Sequence, residues 1–569
     1  MPTFNGYSFS GNASGEYIYV GRGHQADFAR LKALGVEVEG RIAVAKYGGP
    51  FRGLKVKNAQ ENGMIGVVIF SDPGDDGNIT EAKGVIAYPH GPARNPTAVQ
   101  RGSVMFLSTL TGDPTTPGYP SKEDSPRADT SKILPQIPSI PISWLDAQPI
   151  LQALNGYGTV GKDVNRTGWV GAIPDVTYNT GVGAKALLSL SNLMEDKMAW
   201  IWNSIGIING TSQDEVIIIG NHRDAWIVGG AADPNSGTAV LIELAKAFGK
   251  LLQTGWKPTR TIVLASWDGE EYASIGSTEW VEEYVPWLTG AAVTYLNIDI
   301  AVSGPIPAFD ATPDMHRIAT EVTKKVIWPY RGTTNQTMYD VWNEEIGEIG
   351  VIGAGSDHAT FVHAGIAAID MGSSGGPNDP VYHYHSNFDS YYWMSTFGDP
   401  GFVTHKAQGQ YLALLAYHFA TDPASPLEPD GYVPELAKYL EDLKTIIASA
   451  NGTLDLAPLE SAISTFGTAV KNFYALRQQA ISTNHSSLLT LTNHKARDFS
   501  RGFISQGGLP GREFYKHLIF APGTDTGYAP VTFPGITESI TLSKDWTLAQ
   551  EFVGKTAKAI IVAANILGV

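Results

Sequence analysis

Residues 215–233 read EVIIIGNHRDAWIVGGAAD, a short apolar run followed by a polar, glycine-rich loop. The run has the length and composition of a buried strand, and the loop carries His222 and Asp233. TIVLASWDGEE at 261–271 and TYLNIDI at 294–300 have a similar form. Because these apolar strands alternate with helical stretches, they predict an α/β fold with a mainly parallel sheet covered by helices on both faces.

The ends of these strands carry side chains that can bind metal ions. The candidates are His222, Asp233, Glu271, Asp299 and His385, with Glu270 beside the third. Each alone has an ordinary structural interpretation: DPNSG is also good turn chemistry, and adjacent glutamates are usually solvated. Five candidates at the sheet end where α/β sites form favour a metal site. Asp224 could orient His222, and spacing alone does not choose between His383 and His385.

The residue types indicate the chemistry. One carboxylate flanked by two sets of histidine plus acid suits two zinc ions bridged by a single aspartate. A further carboxylate beside a ligand can accept the proton of the attacking water and pass it to the leaving amine. We therefore expect Glu270 to serve in hydrolysis, with a peptide bond as the leading candidate.

The length and composition indicate how many domains the chain has and exclude some classes of partner and metal site. With 569 residues the chain is too long for one core, and it reads as a β-rich domain (1–184), a catalytic domain (185–424) and a helical bundle or dimerisation domain (425–569). A net charge of -16 argues against nucleic acid as a partner. There is no cysteine, so disulfides and thiolate metal sites are excluded.

The compartment is indicated by glycosylation sequons. Seven Asn-x-Ser/Thr sequons favour the secretory route, with vacuolar, extracellular or lumenal exposure; they begin at Asn12, Asn78, Asn165, Asn209, Asn335, Asn451 and Asn484. No signal peptide opens the chain, and no apolar run reaches the roughly 20 residues of a membrane span.

The motifs, taken in order, resemble the zinc peptidase family of glutamate carboxypeptidase II and transferrin receptor. The resemblance rests on HRDAW…DPNSG, SWDGEEY…GSTEW, NID and YHS, and is extended by FRGLKVKNAQ, GDPTTPGYP and APGTDTGYAPVTFPG. It covers nearly the whole chain and implies a zinc-exopeptidase mixed sheet flanked by helices. A β-rich protease-associated domain is expected before it, and a helical dimerisation domain after it.

The resemblance also implies roles for individual residues. One zinc would be held by His222 and Asp299, the other by Glu271 and His385, with Asp233 as the bridge and Glu270 as general acid/base. It favours His385 over His383, and it implies a homodimer. A structural calcium would be held by Thr116, Tyr119, Glu279 and Glu282, and an oxygen-only site of this kind suits calcium. Without the resemblance, Glu279 and Glu282 would be predicted to lie on the solvent-exposed face of a helix.

Substrate residues depart from the family pattern. Arg22, Tyr384 and Tyr528 are expected to hold the terminal α-carboxylate. Gly527 stands where the family has a lysine that reads a glutamate side chain, and the lysine's asparagine partner falls near Ser108. The paired arginines that attract an acidic upstream residue have no counterpart in AAIDMGSSGG. We therefore expect a carboxypeptidase with relaxed preference for glutamate.

Two alternatives remain at this stage. The first is an aminopeptidase using the same metals, and the second is a catalytically inactive receptor-like protein, which the complete ligand set disfavours. Family members carry a cytoplasmic tail, a membrane span and a first catalytic segment before this point, and these are absent here along with the first part of the protease-associated domain. We expect apolar surface to be exposed where that segment would pack.

Overall fold

The first region is a five-stranded sheet with helices packed against it. The computed structural model describes residues 2–333 and 335–568, without the side chain of Gln213. The elements are β1 (Asn5–Gly6), β2 (Gly11–Tyr19), α1 (Gln25–Ala33), β3 (Ile42–Lys46), α2 (Arg52–Glu61), β4 (Gly66–Phe70), β5 (Gly102–Ser103), β6 (Ser139–Ile142), α3 (Trp144–Gln152) and β7 (Leu187–Asn192). The sheet order is β6-β4-β3-β2-β7. Since β7 pairs with β2, this sheet runs past the boundary predicted at residue 184.

The second region is the predicted α/β sheet. Its elements are β8 (Ser204–Ile208), β9 (Ser212–His222), α4 (Asn235–Gln253), β10 (Arg260–Trp267), α5 (Ile275–Ala291), β11 (Ala292–Asn297), β12 (Ile306–Ala311), α6 (His316–Thr323), α7 (Met338–Glu345), β13 (Gly350–Val351), α8 (His358–His363), β14 (Ala367–Ser374), α9 (Tyr391–Trp393) and α10 (Val403–Thr421). The order is β13-β12-β14-β11-β9-β10-β8. The central strands β14, β11, β9 and β10 are parallel, and β8 and β12 pair antiparallel with their neighbours, so the sheet is mixed.

The third region is helical, as its apolar periodicity predicts. It contains α11 (Tyr432–Ser449), α12 (Ala457–Ser482), α13 (Ser486–Asp498), β15 (Phe520–Pro522), β16 (Pro530–Thr532), α14 (Pro534–Thr541) and α15 (Trp546–Leu567). The longest helices, α12 and α15, pack against each other. One continuous set of buried apolar side chains joins this bundle to the central sheet, for example Ile218, Phe466 and Ile560. The two regions therefore stabilise each other.

The first region contacts the other two through a smaller apolar cluster. Phe51, Leu54 and Met105 are buried together with Ala273 of the catalytic region, and Tyr528 packs against this cluster. The N–H of Phe51 donates to the carbonyl oxygen of Thr526 at 2.9 Å. The start of α2 is thereby held beside the β15–β16 turn.

Apolar surface is exposed near the edge strand β8. Trp200, Trp202 and Ile207 are all exposed, and Leu193 is more exposed still. Among the described residues, no helix has the length and apolar character needed to cross a membrane.

Candidate metal centre and substrate cavity

The candidate ligands gather at the carboxyl end of the central parallel strands. His222 is the last residue of β9, Asp299 follows β11, and Glu270 and Glu271 follow β10. Asp233 lies in the loop that leads into α4. Because neighbouring parallel strands end at the same edge of a sheet, His222 comes into direct contact there with Asp299, 77 positions further along the chain.

A first group forms around His222. Its Nε2 lies 2.8 Å from Asp299 Oδ1, 3.3 Å from Asp233 Oδ1 and 4.0 Å from Glu270 Oε2. His222, Glu270 and Asp299 each offer one ligand atom, and these atoms lie within 4.8 Å of one another. The group therefore has the size and donor types of a site for one metal ion.

A second group forms around His385 and shares Asp233 with the first. His385 Nε2 lies 3.0 Å from Asp233 Oδ2 and 3.2 Å from Glu271 Oε2. Asp233 thus turns one carboxylate oxygen toward each histidine, which is the arrangement that a bridging ligand requires. His385 has a φ of 55°, a conformation uncommon for residues other than glycine and often found at functional sites.

The structure distinguishes the two histidines that spacing could not separate. His383 Nε2 accepts a hydrogen bond from the N–H of Asn95 at 2.9 Å, so this ring is turned toward the first region. It is buried, and burial lowers its pKa to about 3, which keeps the imidazole neutral. His385 is the histidine that contacts Asp233 and Glu271.

Further contacts orient both histidine rings. His222 Nδ1 lies 3.0 Å from the carbonyl oxygen of Asp224, and His385 Nδ1 lies 3.1 Å from that of Arg101. Each Nδ1 can therefore carry the proton, which leaves Nε2 as the lone-pair atom that faces the centre.

Two carboxylates anchor the loops that carry the acidic candidates. Asp224 accepts the N–H groups of Glu270 and Glu271 at 3.0 and 3.1 Å. Asp389 accepts those of Ala232 and Asp233 at 2.8 and 3.1 Å. Asp224 thus positions the paired glutamates as well as His222, and Asp389, which sequence reasoning missed, holds the Asp233 loop.

Burial and neighbouring carboxylates shift the pKa values of the groups at the centre. Burial raises the pKa of Glu271 to about 7 and that of Glu270 well above its usual range. Although burial disfavours the charged imidazole, the Glu271 and Asp233 carboxylates raise the pKa of His385 to about 9. Asp233 Oδ1 is buried without a hydrogen-bond partner among the described residues. Histidine and carboxylate donors around an unsatisfied carboxylate oxygen fit zinc.

A cavity of about 380 Å³ opens onto this centre. Tyr384 and Tyr528 line it as expected, and the Tyr384 ring stacks on His385 with 3.6 Å between centroids. Arg22 does not line it: its guanidinium contacts the Tyr47 carbonyl oxygen and Asp75 within the first region.

Arg52 is the arginine that lies in the cavity. Its guanidinium carbon is 5.8 Å from the centre of the Tyr384 ring, and its Nε is buried without a partner among the described residues. Sequence reasoning missed this residue, although it belongs to FRGLKVKNAQ, one of the segments that carry the resemblance.

The residues expected to bind calcium meet where α5 contacts the first region. Glu279 accepts the N–H groups of Asp113 and Ser121 at 2.8 and 2.5 Å. Among the described residues, no hydrogen bond reaches the buried Glu282 Oε2 or the buried Thr116 Oγ1. Burial raises the pKa of Glu279 to about 7 and that of Glu282 to about 8.

Tyr119 lies on the same loop as Thr116. Its N–H donates to the Thr116 carbonyl oxygen at 3.3 Å, and its hydroxyl donates to the Pro126 carbonyl oxygen at 2.7 Å. The side chain of Tyr119 is therefore engaged elsewhere, and only its backbone carbonyl could serve a cation here. The two carboxylates and the Thr116 hydroxyl form an oxygen-only donor set, which fits calcium.

Comparison with known proteins agrees with this architecture. A relative named "Probable glutamate carboxypeptidase" from Arthroderma benhamiae is 61% identical over 100% of this chain and 78% of its own length. "Probable glutamate carboxypeptidase LAMP1" from Arabidopsis thaliana is 39% identical over 100% of this chain and 80% of its own. "Aminopeptidase NAALADL1" from Rattus norvegicus is 32% identical over 100% of this chain and 78% of its own length. The chain belongs to the transferrin receptor-like zinc peptidases.

Three family models match consecutive parts of the chain. They are the PA domain over residues 8–106, peptidase family M28 over residues 203–396 and the transferrin receptor-like dimerisation domain over residues 454–568. All the candidate zinc ligands lie within the M28 stretch. The family and the histidine–carboxylate groups together identify a zinc-dependent exopeptidase.

Proposed function

We propose that this enzyme is a dizinc carboxypeptidase that removes the last residue of a peptide without strict preference for glutamate. The observation that carries the direction of cleavage is Arg52, a buried guanidinium with a free donor in the cavity beside the metal centre. A positive charge in this position suits the α-carboxylate of a free C-terminus.

The centre would hold two zinc ions. One would bind His222 and Asp299, the other Glu271 and His385, with Asp233 between them. When bound, zinc supplies Lewis-acid chemistry, polarising the scissile carbonyl and making a water more acidic. His222 and His385 would bind through Nε2, because each Nδ1 is engaged by a backbone carbonyl.

Glu270 is assigned to proton transfer. It is buried, which raises its pKa well above the usual range, and its Oε1 accepts from Ser274 Oγ at 3.3 Å. Oε2 lies 4.0 Å from His222 Nε2, close enough to reach a water at the centre. Glu270 takes a proton from this water as it attacks the carbonyl carbon, and later donates it to the leaving amine nitrogen.

Arg52, Tyr384 and Tyr528 would grip the terminal carboxylate. They come from the start of α2, the loop after β14 and the β15–β16 turn. Gly527 supports the relaxed preference for glutamate: its φ is 85°, and a Cβ there would lie 2.6 Å from Phe51 Cβ. A lysine at this position would therefore be strained and crowded.

Product analysis of a peptide panel tests the direction of cleavage. We expect the zinc-loaded enzyme to release the last residue from free and N-blocked peptides and to leave C-amidated peptides intact, with Glu270→Gln as the inactive control. Cleavage that requires a free amino terminus would overturn the proposal in favour of an aminopeptidase, the activity named for the rat relative.

Calcium is proposed for the site between α5 and the first region. The donors are the carboxylates of Glu279 and Glu282, the hydroxyl of Thr116 and the backbone carbonyl of Tyr119. The ion would compensate two partly buried acids and tie the first region to the catalytic region. Isothermal titration of the zinc-loaded enzyme with calcium should show one site, which Glu282→Gln removes.

A homodimer and a secretory location complete the proposal. The transferrin receptor-like dimerisation domain supports dimer formation through the helical region, and sedimentation that shows only monomer would reject it. All seven sequon asparagines are exposed, which supports glycosylation and exposure to the secretory lumen. Mass spectrometry of the secreted protein before and after glycosidase treatment tests this.

A further inference from the structure

The cavity contains a second acidic feature outside the metal centre. Asp310 on β12 and Asp370 on β14 both line it, and they stand directly opposite each other in the antiparallel pairing of these strands. Residues paired in this way project from the same face of the sheet, and like charges in such a pair repel. Asp310 is exposed to solvent and so is open to a ligand.

The side chains that contact Asp370 are the amide of Asn297 and the ring of His358, and neither is a permanent cation. Asn297 Nδ2 donates to Asp370 Oδ1 at 2.8 Å, which orients the carboxylate without adding charge. His358 is 3% exposed, and its Nδ1 points to Asp370 Oδ2 at 3.8 Å, too far for a hydrogen bond. That nitrogen has no hydrogen-bond partner among the described residues. A buried, unpartnered ring nitrogen is thus aimed at the pair.

The cavity is therefore electrostatically polarised. At one end Arg52 lies against Tyr384, which stacks on His385. At the other end Asp370 is paired with Asn297, two residues before Asp299. Of the described residues that line the cavity, Arg52 alone carries a permanent positive charge. Arg52 therefore approaches the centre on the side of His385, and Asp370 approaches it on the side of Asp299.

We propose that Asp310 and Asp370 form a subsite for a cationic group of the substrate on the amino-terminal side of the scissile bond. This rests on the proposed carboxypeptidase function: with the terminal carboxylate at Arg52, the preceding residue extends past the centre toward Asp370. The cation is an ammonium or guanidinium, supplied by a lysine or arginine side chain or by the free amino group of a dipeptide. An acidic residue in this place is repelled.

The test compares peptides that differ only before the scissile bond. We measure kcat/KM for N-acetyl-Lys-Ala, N-acetyl-norleucine-Ala and N-acetyl-Glu-Ala, and for norleucine-Ala with a free amino group. We expect the enzyme to favour lysine over norleucine by about tenfold, as a charge-assisted contact provides, and to cleave the glutamate peptide most slowly. Faster cleavage of the free-amine dipeptide than of its acetylated form would identify the amino group as a source of the cation.

Variants separate this subsite from the rest of the enzyme. Asp370→Asn and Asp310→Asn should each reduce the ratio of kcat/KM for lysine over norleucine and raise the ratio for glutamate over norleucine. Glu344→Gln, an exposed residue of α7 outside the cavity, removes the same charge and should leave all ratios unchanged.

The outcomes are distinguishable. Equal rates for the lysine, norleucine and glutamate peptides in the unaltered enzyme would overturn the subsite and leave the carboxypeptidase function intact. No cleavage of any N-acetylated peptide would overturn the carboxypeptidase function itself, and with it this proposal.

Discussion

The metal centre and the walls of its cavity are built in different ways. All the candidate zinc ligands come from the catalytic region, from loops that leave neighbouring strands of one sheet. The walls combine the first region (Arg52), the catalytic region (Tyr384, Asp370) and the helical region (Tyr528). Metal binding therefore depends on the folding of one sheet, whereas substrate selection depends on how the three regions pack against one another.

The largest expected effect belongs to the centre. Glu270→Gln should lower kcat by about 10³-fold, because the attacking water loses its proton acceptor. Zinc content, measured by mass spectrometry of the metal, should be unchanged. Glu270 also lies within ligand distance of His222 and Asp299, so loss of zinc together with activity would identify it as a ligand instead.

The next largest effect is expected at Arg52, the cavity residue proposed to bind the terminal carboxylate. Arg52→Leu should lower kcat/KM for peptides with a free C-terminus by roughly 100-fold, because a charge-assisted contact with the carboxylate is lost. Arg22→Leu is the matched control, since this arginine pairs with Asp75 away from the cavity. If Arg22→Leu caused the greater loss, the assignment of the carboxylate clamp to Arg52 would be wrong.

The stability of the contact between α5 and the first region should depend on pH and calcium. Burial raises the folded-state pKa of Glu279 to about 7 and of Glu282 to about 8, above an unfolded value near 4.5. The folded state therefore holds extra protons, and stability present below about pH 4.5 is lost as the pH rises through 7 to 8. In calcium-free, zinc-loaded protein we therefore expect the free energy of unfolding to fall by several kcal/mol between about pH 4.5 and pH 8.

Calcium should reverse this loss. It binds the ionised carboxylates, so calorimetry at pH 8 should give a higher Tm with calcium than without, and a smaller difference at pH 5. Glu282→Gln removes one of the titrating groups and should flatten the calcium-free profile. A Tm that is indifferent to calcium at pH 8 would contradict the calcium site.

A smaller effect is expected from the carboxylate that supports the ligands. Asp224→Asn should weaken zinc binding by about 10–100-fold, because the amide accepts less strongly from the Glu270 and Glu271 N–H groups, whereas the backbone carbonyl that orients the His222 ring is kept. Competition with a chromogenic chelator measures this. An unchanged affinity with reduced kcat would show instead that Asp224 acts on Glu270 alone.

The smallest effect concerns the acidic pair of the wall. Asp310→Asn removes one of two like charges in direct cross-strand opposition, so the free energy of unfolding should rise by about 0.2–1 kcal/mol. Urea unfolding at low and high salt tests this, and the gain should shrink with salt. A loss of stability would mean that Asp310 is already paired with a cation in the protein.

The residues of the centre could be predicted because their positions follow from local pattern. Apolar strands that alternate with helices imply a parallel sheet, and such strands end at one edge, so His222, Glu271 and Asp299 could be expected to meet there. The main helices of the third region were likewise foreseeable from apolar periodicity. His385 needed the family resemblance as well, because His383 has the same local surroundings in the sequence.

Only the tertiary structure decided which distant side chains share the cavity. Arg22 and Arg52 are both arginines beside glycine-rich turns, and the packing of Phe51 against Ala273 and Tyr528 is what brings Arg52 to the centre. The opposition of Asp310 and Asp370 depends on strand register, since shifting a strand by one residue turns its side chains to the other face. Local sequence determined the chemistry of this protein, and long-range packing determined the surroundings in which that chemistry meets a substrate.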